Sequence, residues 1–193
     1  FKMIVLDNFI EDEELLTNIK HFPEFWEEGY SWWGGWWNNK ASTLRHQLIE
    51  KIWTDYRMPS MYINGFEHWT GILSKDKVIN NGAAMSAGMA LNLHFDKDEQ
   101  VWDKTGEVRS PKLGTVYYPP MGEQCEGGHL KIYDTHEIDT TAPYELIAPK
   151  HNRLVVFDAG KLHGVTGITK GDRYSVAINL WDELTLDDMK EVL

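Results

Sequence analysis

Leu44, Leu48, Ile52 and Tyr56 recur every four residues, and Ile49 and Trp53 widen the same stripe. This spacing predicts an amphipathic helix over Ser42–Tyr56 that lays one face on a sheet. Ahead of it, the β-branched run Met3–Phe9 predicts a strand. The acids Glu11, Asp12, Glu13 and Glu14 that follow suit the positive end of a helix, which stops near His21 before Pro23. From Phe66 onward the pattern changes to short apolar runs of strand length. These are Phe66–Leu73, Met85–Phe95, Leu113–Tyr118, His129–Tyr133, Glu145–Ala148, Arg153–Phe157, His163–Ile168 and Arg173–Trp181. Asn80-Asn81-Gly82, Pro119-Pro120-Met121-Gly122 and Lys170-Gly171-Asp172 supply turns between them. The succession predicts a mostly β fold with flanking helices, a barrel or a jelly roll.

A chain of 193 residues with 42% apolar content can bury one good core. One domain over residues 1–193 is therefore expected, with the N-terminal strand and helices in 1–60 packed on a β core in 66–181. The formal charge of -11 works against contact with phosphate backbones, so nucleic acid is not an expected partner. Cys125 is the only cysteine, which rules out an intrachain disulfide and fits a reducing, cytoplasmic setting. The opening residues read as a strand rather than a signal peptide, and no run approaches the roughly 18 apolar residues of a membrane span. A soluble protein without a membrane partner is expected.

Two short motifs carry the candidate chemistry. In Leu93-His94-Phe95-Asp96, the period of two sends His94 and Asp96 to one face and Phe95 to the other. Leu162-His163-Gly164-Val165 opens another strand and can bring a second imidazole from across the barrel. Two histidines and a carboxylate on one face of a metal leave three positions open, the facial triad of non-haem iron(II) oxygenases. Ten residues after His163, alternation puts Arg173, Ser175, Ala177 and Asn179 on one strand face and Tyr174, Val176, Ile178 and Leu180 on the other. A planar guanidinium fork with a hydroxyl beside it suits a carboxylate such as the far end of 2-oxoglutarate. A surface salt bridge is the plainer use of such an arginine. Four of the nine tryptophans crowd Trp32-Trp33-Gly34-Gly35-Trp36-Trp37, as a cover on one end of the core or as a substrate-facing lip hinged at the glycines.

With those residues in view, the chain resembles the prolyl 4-hydroxylase-like branch of the 2-oxoglutarate- and iron(II)-dependent oxygenases. MIVLDNFIEDEE is similar to the strand and acidic helix start that precede its catalytic core, and LHFD to its His-x-Asp. LGTVYYPP and EGGHLKIYD resemble its cosubstrate strand and its Gly-Gly-x-Leu strand. APKHNRLVVFDAGKLHGV and TKGDRYSVAINLW resemble the strands bearing its second histidine and its Arg-x-Ser. The resemblance implies a double-stranded β-helix, a distorted, cupin-like jelly roll with helices outside. It implies iron(II) on His94, Asp96 and His163, and 2-oxoglutarate held by Arg173. Tyr118 and Ser175 follow as further cosubstrate contacts, with Tyr117 one register step from Tyr118. Dioxygen would be the oxidant and ascorbate a stimulant, and the implied reaction hydroxylates a small molecule or a peptide, a prolyl residue first among them, with release of succinate and carbon dioxide. Two departures stand out. Leu91 occupies a position three residues before His94 that is tyrosine in many members, and Tyr118-Pro119-Pro120 stands where Tyr-Leu-Asn is common. The loop lining the site, and the substrate with it, is expected to differ.

Other chemistries find little support. Glu123 and Glu126 around Cys125 would raise its thiol pKa, against a nucleophilic cysteine. Ala159-Gly160-Lys161-Leu162 lacks the earlier glycine and following hydroxyl of a P-loop, and neither Gly-x-Ser-x-Gly nor Gly-x-Gly-x-x-Gly occurs. His21, His46, His68, His136 and His151 read as structural. His129 belongs to the strand face opposite Leu130 and Ile132, which the core should claim. A non-catalytic, cupin-like metal or small-molecule binding module is the alternative from another class, and Arg173 argues against it, because a metal store needs no carboxylate fork.

Overall fold

A computed structural model describes residues 2–55, 63–76 and 88–182. The N-terminal third holds β1 (Ile4–Leu6), α1 (Glu13–His21), α2 (Pro23–Glu27), β2 (Ser31–Trp33) and α3 (Leu44–Asp55). Next come β3 (Gly65–Ser74), β4 (Met89–His94), α4 (Glu99–Thr105) and β5 (Leu113–Tyr118). The remainder is β6 (Glu126–Gly127), β7 (Leu130–Tyr133), β8 (Tyr144–Ile147), β9 (Arg153–Phe157), β10 (His163–Thr166), β11 (Ile168–Lys170) and β12 (Asp172–Trp181).

The strands form a six-stranded sheet, ordered β1-β9-β5-β12-β3-β2, facing a four-stranded sheet, ordered β4-β10-β7-β8. This is the expected double-stranded β-helix. Its logic is visible in β5, where every residue is buried because both faces of the larger sheet are covered. Leu113 and Tyr117 point to the outer face, into a core shared with Leu15 and Ile19 of α1, Phe25 of α2 and Leu48, Ile52 and Trp53 of α3. Val116 and Tyr118 point inward, to a second cluster with Leu130, Ile132 and Ile147 of the opposite sheet. Strand alternation thus splits one sheet between two cores. Arg45, buried in α3, fastens the helical layer: its guanidinium donates to the carbonyls of Phe25 and Gly29 and to Thr70 Oγ1 of β3.

Several elements differ from the sequence expectation for local reasons. The first strand stops at Leu6, since Asn8 takes a left-handed φ of 52°. The single strand expected over His163–Ile168 is two, β10 and β11, with Gly167 between them donating to the Gly88 carbonyl. Helix α3 begins at Leu44 rather than Ser42. The expected helix end at Tyr56, the strand start at Met85 and the Asn80-Asn81-Gly82 turn lie outside the described residues. In the tryptophan segment, Trp33 is buried and stacks on His46, with ring centroids 4.3 Å apart, while Trp36 stacks on Phe66. These two rings cover the end of the outer core, whereas Trp37 remains exposed.

Asn152 ties the N-terminus to the barrel. It adopts φ 60°, a conformation asparagine tolerates. Its Oδ1 accepts from the Ile10 amide at 3.0 Å and the Tyr117 hydroxyl at 2.7 Å, and its Nδ2 donates to the Ile10 carbonyl at 2.9 Å. Asn152→Ala is expected to lower stability by about 3 kcal/mol, since it strands buried donors and forces alanine into the left-handed region. Chemical denaturation checks this, and a loss under about 1 kcal/mol would refute it.

Candidate metal centre and arginine pocket

His94 ends β4 and His163 begins β10, and the two are direct partners across the antiparallel ladder. Their ring centroids lie 4.4 Å apart. Asp96 follows His94 by two residues and is held by its amide, which donates to the Ala159 carbonyl at 3.2 Å. One carboxylate oxygen faces each ring: His94 Nε2 to Asp96 Oδ1 is 3.4 Å, and His163 Nε2 to Asp96 Oδ2 is 3.6 Å. One nitrogen or oxygen from each residue lies within 4.8 Å of the other two.

The protein also fixes how these groups point. His94 Nδ1 sits 2.8 Å from the Asn92 carbonyl, and His163 Nδ1 sits 2.7 Å from the Lys161 carbonyl. A carbonyl only accepts, so Nδ1 carries the hydrogen and each neutral ring aims a bare Nε2 lone pair at the centre. Burial opposes charge on His94, but Asp96 outweighs it and moves the imidazole above its ordinary pKa. Burial likewise opposes ionisation of Asp96, and His163 and His94 outweigh it, holding the carboxyl well below the usual range. The donor set is two imidazole nitrogens and one carboxylate, the side chains of His94 and Asp96 keep 18% and 15% exposure, and the three donors fit iron(II) with positions left open.

The interior face of β12 runs from Arg173 through Ser175 and Ala177 to Asn179, opposite Leu73, Gly71, Trp69 and Glu67 of β3. Gly71 and Ala177 put almost no side chain into the space between. Arg173 is 4% exposed. Its Nε donates to the Gly128 carbonyl at 2.9 Å, one terminal nitrogen to Ser175 Oγ at 3.2 Å and the other to the Tyr118 hydroxyl at 3.1 Å. Three of five N–H groups are engaged, and both hydroxyls keep a proton to give. Among the described residues no carboxylate lies within ion-pair distance of Arg173, so a buried permanent cation lacks a counter-charge. Such a group fits an anionic ligand. Gly128 permits the approach: at φ 65°, a Cβ there would lie 2.9 Å from Arg173 Cδ. The register also separates the two tyrosines, because Tyr118 meets Arg173 while Tyr117 bonds Asn152 on the outer face.

The far end of this face carries two groups that sequence reasoning missed as functional. Asn179 Nδ2 donates to Asp96 Oδ2 at 3.1 Å and to Glu67 Oε1 at 2.7 Å. The second Glu67 oxygen accepts from the Tyr30 hydroxyl. Burial pushes the Glu67 carboxyl up to about 7, against the opposing bond from Asn179. An acid between the aromatic residues Phe66 and Trp69 of a strand was the available signal. Of the remaining histidines, His46 packs on Trp33, His136 pairs with Asp158 at the surface, and burial holds His68 neutral, with a pKa lowered to about 3. Leu130 and Ile132 fill the inner cluster, as the alternation at His129 requires.

Over 92 residues the chain is 32% identical to a PKHD-type hydroxylase of Paracoccus denitrificans, a match covering 46% of this chain and 36% of that protein. The chain thus spans about a third of the length of the curated relative it matches. A prolyl-4-hydroxylase from Pseudomonas putida superposes with a TM-score of 0.57 at 15% identity, over 93% of this chain and 84% of that one. The viral collagen prolyl hydroxylase of Paramecium Bursaria Chlorella virus-1, in its 2OG complex, gives 0.51 at 13% identity over 92% and 94%. At these identities the likeness shows the fold. Residues 81–181 match the model of the 2OG-Fe(II) oxygenase superfamily, a stretch that is just over half of the chain and runs from before His94 to beyond Arg173, and the chain belongs to that superfamily.

Proposed function

We propose that the protein is an iron(II)- and 2-oxoglutarate-dependent dioxygenase that hydroxylates an organic substrate. In the balanced reaction, substrate C–H, dioxygen and 2-oxoglutarate become substrate C–OH, succinate and carbon dioxide. His94, Asp96 and His163 hold the iron, and Arg173, with Tyr118 and Ser175, holds the distal carboxylate of the cosubstrate. The iron with 2-oxoglutarate supplies the activation of dioxygen, coupled to decarboxylation. The chain's own part is positional. The Asn92 and Lys161 carbonyls keep Nε2 of both histidines free to donate. Arg173, Tyr118 and Ser175 orient the cosubstrate from the opposite end of the β12 face, and the apolar clusters around them keep water out.

The observation that carries this reading is the buried, charge-unpaired Arg173 fork on the face that also carries the contact to Asp96. A binding module has no use for both. A prolyl residue of a peptide is the proposed substrate, supported by the hydroxylases among the similar proteins, over a free amino acid or other small molecule. We take residues 1–193 as one oxygenase domain, 1–60 packing on a barrel in 66–181, supported by the continuous core joining α1, α2 and α3 to the larger sheet. No helix among the described residues is long and apolar enough to cross a membrane, and the lone Cys125 suits the cytoplasm.

Succinate release from 2-oxoglutarate, measured with and without iron(II) and with proline-containing peptides, tests the reading. Iron-dependent succinate that rises with a peptide, matched by a gain of one oxygen atom in that peptide, is expected. Binding of metal and 2-oxoglutarate with no succinate formed under any of these conditions would leave the binding module.

A further inference from the structure

We propose that Asn179 is a positioning residue for the metal centre, fixing the Asp96 carboxylate through an amide that Glu67 and Tyr30 in turn hold in place. The inference rests on the assignment of Asp96 as an iron ligand. His94 is oriented by the Asn92 carbonyl and His163 by the Lys161 carbonyl, both only two residues away in sequence. The side chain of Asp96 receives its orienting bond from 83 residues further along the chain, where Asn179 Nδ2 reaches Oδ2 at 3.1 Å.

The amide can adopt only one orientation toward Asp96. On the two sides of its nitrogen stand Asp96 Oδ2 and Glu67 Oε1, and the ionised Asp96 carboxylate only accepts. Turned over, the amide would set its own oxygen against the Asp96 carboxylate and leave a 2% exposed NH2 group without these partners. Glu67 is itself held. Its Oε2 accepts from Tyr30, and the backbone before Tyr30 is fixed by the buried Arg45, which donates to the Gly29 carbonyl at 2.7 Å. Tyr30 also stacks on Trp69, centroids 5.6 Å apart, while Trp69 faces Ala177 in the ladder beside Asn179. Ala177 and Asn179 share the inner face of β12 with Arg173, so one strand would carry both the cosubstrate clamp and the bond that sets a metal ligand. With Oδ2 tied to the amide, rotation of the carboxylate is restricted, and the 3.4 Å approach of Oδ1 to His94 Nε2 is preserved.

Partners of this kind, acting on ligand orientation, typically contribute 10–100-fold to metal affinity. The test is titration of the whole apo chain with cobalt(II), followed by its visible d–d spectrum, beside chemical denaturation of the same apo protein. Asn179→Ala is expected to weaken cobalt affinity by about 10–100-fold and to alter the spectrum. Glu67→Gln, which can still accept from Asn179, is expected to stay within about threefold of native, and Glu67→Ala to fall between the two. A merely structural role would lower apo stability and leave affinity and spectrum native, which would overturn the proposal. If Asn179→Ala fails to fold, Asn179→Ser, polar but too short to reach Asp96, gives the same reading of affinity. Asp96→Ala separates the two levels. Native cobalt affinity there would defeat the ligand assignment itself, while loss of affinity in Asp96→Ala with native affinity in the Asn179 variants would defeat the positioning role alone.

Discussion

Arg173→Ala is expected to raise the 2-oxoglutarate concentration needed for half-maximal turnover by about a hundredfold or more. A bidentate pair between guanidinium and carboxylate in a dry pocket loses two charge-assisted hydrogen bonds of roughly 1.5 to 3 kcal/mol each, and about 1.4 kcal/mol is tenfold in affinity. The pocket is prepared in advance, which concentrates the effect. The fork is already fixed by Gly128, Ser175 and Tyr118, so little ordering remains when the anion arrives. Arg173→Lys should fall between, keeping the charge but not the plane. Oxaloacetate, one carbon shorter, should serve poorly in the native protein, because its carboxylate cannot reach Arg173 while its other end stays at the metal. The alanine variant also strands the Gly128 carbonyl, so 2-oxoglutarate affinity and apo stability must be measured separately. Native 2-oxoglutarate affinity in Arg173→Ala would remove the cosubstrate assignment.

His94→Ala, Asp96→Ala and His163→Ala are each expected to abolish iron-dependent succinate formation while the apo chain stays folded. The two histidines occupy strand ends rather than core centres, and the contact of the three residues with the large apolar clusters includes the edge of Phe157 against the His163 ring. Removal of Asp96 also takes a carboxylate out of a partly buried site, which offsets what its partners lose. Circular dichroism with succinate assays on the three variants decides the matter. Full turnover in any one would exclude that residue from the centre.

Much of this arrangement is legible in the chain because it is local or periodic. His94 and Asp96 are brought together by a spacing of two, and the face shared by Arg173 and Ser175 follows from strand alternation alone. The choice between Tyr117 and Tyr118 could not be made that way, since it depends on which face meets α1 and Asn152 and which meets Arg173. Asn179 was already on the correct face by alternation, yet its bond to Asp96 exists only once the end of β4 has folded against β12. Helix α4 escaped for the opposite reason. Asp98 caps its start, accepting from the amides of Gln100 and Val101, and Gly106 closes it at φ 70°, but the helix buries only Val101 and so shows no apolar stripe. Its local signals were present without the periodic one.

The tie made by Asn152 bears on how the chain is made. Ile10 waits for a partner 142 residues later, and β1 pairs with β9 over Leu6↔Leu154 to Ile4↔Val156. During synthesis β1 therefore has no edge to join until β9 has followed it. Contacts of such separation bear a large loop-closure entropy and form late. The N-terminal strand should be the last piece to dock and, on refolding, the slowest amides to gain protection should be those of residues 4–6 and Ile10, well after β5 and β12 have zipped together.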